Sequence, residues 1–132
     1  MKKALLLSMI LASSGCALPQ AVMNQNNAAI RLLERGMTEQ EVTDLIGDSG
    51  NYDIPNPFRS EMYPAGEDEF KILFFYTNRT LADGDIEDDE LTPVVFKNGL
   101  LDGWGWSYWE NTALRYNIRI RGDATEADGD LT

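Results

Sequence analysis

The sequence predicts an α+β fold, in which two short N-terminal helices pack on one face of a three- to four-stranded antiparallel sheet. Three observations carry that expectation. Residues 28–47 hold two apolar stripes at helical spacing, each stopped by a glycine. Residues 58–77 hold strand-like runs with period-two alternation. Two apolar runs flank Asn98-Gly99, the dipeptide that favours a two-residue hairpin turn.

The elements follow in chain order. In "AAIRLLERGMTEQEVTDLIG", Ala29, Ile30, Leu32 and Leu33 suit one face of a first helix, and Gly36 supplies its left-handed stop. Thr38 and Glu41 have capping-box spacing for a second helix, with Met37 and Val42 placed as its hydrophobic staple. Val42, Leu45 and Ile46 form the buried stripe, and Gly47 ends the helix. "FRSEMY" (58–63) reads as a strand, "PAGED" (64–68) as a loop and "EFKILFFYT" (69–77) as a long strand. The long strand places Phe70, Ile72, Phe74 and Tyr76 on one face, while the other face, Lys71, Leu73, Phe75 and Thr77, is mixed. "TPVVFKNGLLDGWGWSYW" reads as a hairpin with Val94 and Phe96 before the turn and an aromatic strand after it. The alternation "LRYNIRIR" (114–121) favours a last strand, a short helix over 109–116 being the other reading.

Before the domain, Lys2 and Lys3 precede the apolar run "ALLLSMILA", the pattern of a secretory signal too short to span a bilayer. The run ends in "LASSGC", which holds the chain's one cysteine. This ending resembles a bacterial lipoprotein signal: Ser14 and Gly15 fit the lipobox, and Ser13 stands where Leu or Val is usual. The resemblance implies cleavage before Cys16 and acylation of it, and Ala17 at the following position implies sorting to the outer membrane. The expected organisation is a removed signal (1–15), a lipidated tether (16–27) with a coil reach of about 18 Å, the domain (28–121) and an acidic, disordered tail (122–132).

Charge narrows the function classes. The chain of 132 residues carries 11 Lys and Arg against 22 Asp and Glu, for a net charge of −11. Loss of Lys2 and Lys3 with the signal leaves 9 basic residues and a net charge near −13. Such a surface repels nucleic acid, and no nucleic-acid partner is expected. There is no histidine, and an acylated cysteine is not a nucleophile, so the usual metal and nucleophile sets shrink to carboxylates, hydroxyls and lysines. A domain this small is expected to offer little cleft, and the sequence predicts neither an enzyme nor a cofactor beyond the lipid on Cys16.

Three features invite a binding role. "DGDIEDDE" (83–90) is most simply a solvated loop; Asp83, Asp85, Glu87 and Asp88 are its weak candidates for calcium, and the run also suits a basic partner. As a strand, "GWGWSYW" places Trp104, Trp106 and Tyr108 on one face, as core or as an exposed platform. Gly103, Gly105 and Ser107 then fall on the other, smooth face, the preferred partner surface. Arg115, Arg119 and Arg121 would share a strand face, paired with the protein's own carboxylates or facing lipid phosphates.

"LLERGMTEQEVTDLIG" and "VVFKNGLLDGWGW" resemble the small outer-membrane lipoprotein family that includes BamE, also called SmpA or OmlA; the loop "LADGDIEDDELTP" departs from it. The resemblance implies the two-helix-on-sheet fold, similar also to a repeat of the β-lactamase inhibitor protein. It implies a non-enzymatic role on the periplasmic face of the outer membrane. The chain would act there as a protein-binding or assembly accessory whose envelope partner is the barrel-assembly machinery or a β-barrel. The alternatives are a ligand-binding or inhibitor-like module using the aromatic strand or the acidic loop, and a calcium-dependent structural protein.

Overall fold

The computed structural model describes residues 17–50, 53–80 and 85–121. The expected signal, Cys16, Asp83 and the expected tail lie outside them. The elements are α1 (Ala17–Ile30), α2 (Glu39–Ile46), β1 (Arg59–Ala65), β2 (Asp68–Tyr76), a single 3-10 turn (Asp88–Glu90), β3 (Leu91–Lys97), β4 (Leu100–Trp104) and α3 (Trp106–Tyr116). The strands form one antiparallel sheet in chain order, β1-β2-β3-β4. The chain is α+β, with two N-terminal helices before a four-stranded antiparallel sheet, as its sequence predicts.

Local chemistry sets the punctuation. Thr38 Oγ1 accepts from the Glu41 N–H at 3.1 Å, and Glu41 Oε1 accepts from the Thr38 N–H at 2.9 Å, completing the capping box. Gly47 ends α2 with φ +82° and donates to the Thr43 carbonyl. The β3–β4 turn is Asn98-Gly99, both at positive φ (53° and 89°), as a type I′ turn requires. Residues 64–65 extend β1 beyond the expected loop, so β1 and β2 join through Gly66-Glu67 alone.

The sheet is buried on both sides. Phe70, Ile72, Phe74 and Tyr76 of β2 join Leu91 and Val95 of β3 and Trp109 of α3 in one core. Leu73 and Phe75 of β2 join Val94, Phe96 and Leu101 in a second core, against Val42 and Ile46 of α2 and Ala29 of α1. The face read as mixed is therefore apolar along its centre. Lys71, at its end, pairs with Glu39 of α2 at 3.0 Å. α1 serves both cores, Ala29 in the second and Val22 and Met23 in the first.

Two sequence expectations are overturned. Residues 17–27, expected as a coil tether, form most of α1, because their amides are bonded to the domain. Asn26, 0 % exposed, donates to the Tyr76 carbonyl at 2.8 Å and exchanges amide bonds with Asn56 at 2.9 and 3.0 Å. Gln25 donates to the carbonyls of Ile46 and Asp48, and Asn27 to that of Thr77. The first helix accordingly ends at Ile30, well before the expected stop at Gly36, whose N–H donates to the Leu101 carbonyl instead, and Leu32 is exposed.

The expected last strand (114–121) does not form: Leu114–Tyr116 end α3, as the helical reading of 109–116 has it, and the residues beyond make no strand. Gly105, at φ +97°, breaks the strand; Trp106, Trp109 and Ala113 then recur at helical spacing over the first core, and Asn117 closes the helix in the left-handed region. The alternation survives only beyond the helix, where Ile118 and Ile120 pack inward. Trp109 is 0 % exposed, with its ring 5.5 Å from Tyr63 and 6.3 Å from Phe70 between centroids.

Replacing Thr38 with Ala removes one bond of the capping box and should cost about 1 kcal/mol of stability. Urea denaturation should show the midpoint falling with an unchanged slope.

Candidate functional site

An open groove of about 570 Å³ lies between α3 and the acidic 3-10 turn. Trp106, Glu110, Ala113 and Leu114 line it from α3, at the i, i+4, i+7 and i+8 positions that share one helix face. Asp88 and Asp89 face them from the turn, and Ile118 and Ile120 close the end from the segment after α3. The floor is therefore apolar and the rim carries three carboxylates. Leu114 is 79 % exposed, the most exposed of the large apolar side chains described.

The acidic wall is built on one buried carboxylate. Glu90 is 1 % exposed; its Oε1 accepts from the Glu87 N–H at 3.0 Å and its Oε2 from the Thr80 N–H at 2.7 Å. Its carbonyl accepts from the Thr77 and Asn78 N–H groups. This acid is structural, holding the turn so that Asp88 and Asp89 project beside α3. Trp106 ties the opposite wall to the sheet, its indole N–H donating to the Leu91 carbonyl at 2.8 Å.

A polar chain runs from the groove into the first core. Arg59 bridges Asp88 at 2.8 Å and Glu61 at 3.0 Å, and Glu61 accepts from the Tyr63 hydroxyl at 2.6 Å. Burial opposes the charge on Arg59, but the hydrogen bonds and attraction of Asp88 and Glu61 outweigh it, and its pKa rises. Burial, reinforced by the bond to Glu61, pushes the Tyr63 hydroxyl up to about 12. Tyr63 also accepts from the Arg121 N–H at 3.1 Å, pinning the chain beyond α3.

Of the residues singled out in the sequence, Trp106 and Asp88 meet in the groove. The others do not form the expected surfaces. Trp104 packs into the second core while Trp106 and Tyr108 pack on the first, so they share no face, because the chain turns from strand to helix at Gly105. The glycine face is occupied from within. A Cβ built on Gly103 would lie 2.5 Å from ring atoms of Tyr108, whose hydroxyl donates to Asp102. Gly105 caps α3, and Ser107 is exposed in its first turn, outside the groove.

The arginine row is divided, Arg115 standing on α3 and Arg119 and Arg121 beyond it. None of the three makes an ion pair with a carboxylate among the described residues. Arg115 and Arg121 lie over the rings of Tyr116 and Tyr63, at 5.7 and 5.2 Å from the centroids. No group of three or more metal-ligating side chains gathers among the described residues, and Asp88 is committed to Arg59.

Glu110, Ala113, Leu114, Ile118 and Ile120 were missed because they line a site only when residues 106–116 are helical. The usable signal was the spacing of Trp106, Trp109 and Ala113.

These features define a small α+β domain with helices on both faces of its sheet and an open, acid-rimmed groove beside the last helix. Residues 19–111 match the family described as protein of unknown function (DUF3192), and the chain belongs to that family. The match contains Asp88, Asp89, Trp106 and Glu110 and ends before Ala113, Leu114, Ile118 and Ile120. No curated protein and no solved structure matches the chain significantly.

Two variants test this geometry. Tyr63 has its folded pKa raised above the ordinary value near 10. Its contribution is fully present below pH about 10 and is lost as pH rises toward about 12. That loss should be on the order of 1–2 kcal/mol, allowing for partial solvent screening. Denaturation at stepped alkaline pH should show it in the wild type and not in Tyr63→Phe. Gly103→Ala should cost about 1–3 kcal/mol by displacing the Tyr108 ring. Combined with Tyr108→Ala, it should cost markedly less than the two single losses together, because the ring it displaces is already gone.

Proposed function

We propose that the chain is a non-enzymatic, lipid-anchored binding module of the cell envelope, held through Cys16 at the periplasmic face of the outer membrane. Its groove takes part of an envelope protein. The observation that carries the binding role is the groove itself, which leaves an apolar floor and the Leu114 side chain uncovered beside a sheet otherwise packed on both faces. The anchor is supported by "LASSGC", a lipobox-like ending after a charged and apolar leader.

A non-enzymatic role is supported by the chemistry available. The chain has no histidine, and the described lining of the groove holds three carboxylates and no hydroxyl or thiol of its own, the Thr80 hydroxyl beside Asp89 being shared with Glu90. One of the three, Asp88, is bound by Arg59. The BamE-like motifs support a partner in barrel assembly, either a subunit of that machinery or a β-barrel.

The test starts in intact cells. The wild type should incorporate labelled palmitate and sediment with outer membranes, and Cys16→Ala should lose both; a Cys16→Ala protein that stays in that fraction would overturn the anchor. A photoreactive residue at position 114 should capture a barrel-assembly subunit or a β-barrel. Capture of a small molecule or glycan instead would replace the assembly role with a ligand-binding one.

A further inference from the structure

The chemistry of the groove defines its occupant more narrowly than an envelope protein. We infer that it receives a basic amphipathic segment of the partner, with apolar side chains on Trp106, Leu114, Ile118 and Ile120 and a Lys or Arg at Asp89 and Glu110. This rests on the binding-module reading.

Three observations converge on that occupant. The floor and rim differ in kind: five of the eight lining residues are apolar and three are acidic, and none is basic. Asp88 already holds Arg59, whereas neither Asp89 nor Glu110 has a cationic partner among the described residues. Two carboxylates on opposite walls of an apolar trough are therefore left to meet a cation brought from outside. An apolar segment flanked by lysine or arginine satisfies both surfaces at once, since its aliphatic stems also lie on apolar surface while the charged heads reach the rim.

Charge rejects the other occupants. Residues 122–132 follow directly on the groove's last wall, but they carry Asp123, Glu126, Asp128 and Asp130 and no Lys or Arg. An anionic lipid head group meets the same repulsion from a chain of net charge −11. A second copy brings that net charge with it as well.

The test uses the full-length protein in nonionic detergent and three labelled octapeptides, alternating Lys with Leu, Glu with Leu, and Lys with Ser. Fluorescence anisotropy should show the Lys-Leu peptide binding most tightly, and more weakly as salt is raised. Asp89→Asn combined with Glu110→Gln should weaken it about tenfold, and Leu114→Ser likewise. Leu114 is exposed, so its replacement leaves the fold intact, and any uptake of peptide by the detergent is the same for every variant.

Equal binding of the Glu-Leu peptide would overturn the inference by showing only apolar adhesion. Equal binding of the Lys-Ser peptide would overturn it by showing only acidic attraction. Self-association abolished by Leu114→Ser would assign the groove to a second copy. A folded protein that carries its lipid and captures a partner from position 114, yet binds none of the peptides, would sink this inference and leave the proposed function standing. Peptide binding by a protein with no lipid on Cys16 would sink the anchor alone.

Discussion

Strand β2 is buried on both faces, and the rest of the architecture answers that constraint. Phe74 and Phe75 are adjacent in sequence, point to opposite sides of the sheet and are 0 and 1 % exposed. α2 and Ala29 of α1 cover Phe75, and to the side of Phe74 α1 brings only Val22 and Met23. The chain therefore has to supply a layer to the other side after its last strand, and α3 is that layer. Gly105 makes the change of direction possible, and Trp109 supplies the volume that fills the space above Tyr63 and Phe70. One helix cannot span the whole face, however. The margin it leaves beside the 3-10 turn is the groove, so the site is a product of how the first core is closed.

Two groups of buried polar side chains in this domain are as organised as its apolar cores. Asn26 and Asn56 exchange amide hydrogen bonds and spend their remaining donors on the carbonyls of Tyr76 and Gly47. Glu90 does the same for the acidic turn with a carboxylate. Each of these groups would be costly to bury alone and is satisfied by backbone that would otherwise lack a partner. Their effect is positional: α1 is registered against the end of β2, and the acidic wall is registered against α3.

How much of this was legible follows from what each signal measures. The capping box at Thr38 and Glu41, the glycine after α2 and the Asn98-Gly99 turn are local devices, and these three read correctly from sequence, whereas the glycine stop expected at Gly36 did not, because α1 already ends at Ile30. The core face of β2 was legible for the same reason, since alternation is fixed by strand geometry. The other two failures both came from partners distant in sequence. "QNN" looks like a linker until Asn56, Tyr76 and Asp48 are brought beside it, and "LRYNIRIR" alternates by coincidence as far as Tyr116, beyond which Ile118 and Ile120 pack inward without forming a strand. A clue to α3 was present in β2 itself. "FKILFFY" is nearly continuous in apolar residues, as a strand covered on both sides must be, and it called for a helix on each face. The groove was illegible because it depends on that helix. Without it Leu114 and Glu110 share no wall.

The start of α1 at Ala17 bears on how the proposed module would work at a membrane. A coil between lipid and domain would act as a leash, letting the groove sweep a hemisphere and meet partners in any orientation. A helix running from Ala17, beside the proposed anchor, would act as a mast instead: its 14 residues extend about 21 Å, and its far half is bonded to the domain, Gln25 to the end of α2 and Asn26 and Asn27 to the end of β2. Rotation and tilt about the lipid chains would remain, but the length of α1 would set how far the domain stands from its anchor. The groove would then have a greatest height above the bilayer, and only partners presenting their basic segment below it could reach it. Selection by height would accompany selection by charge.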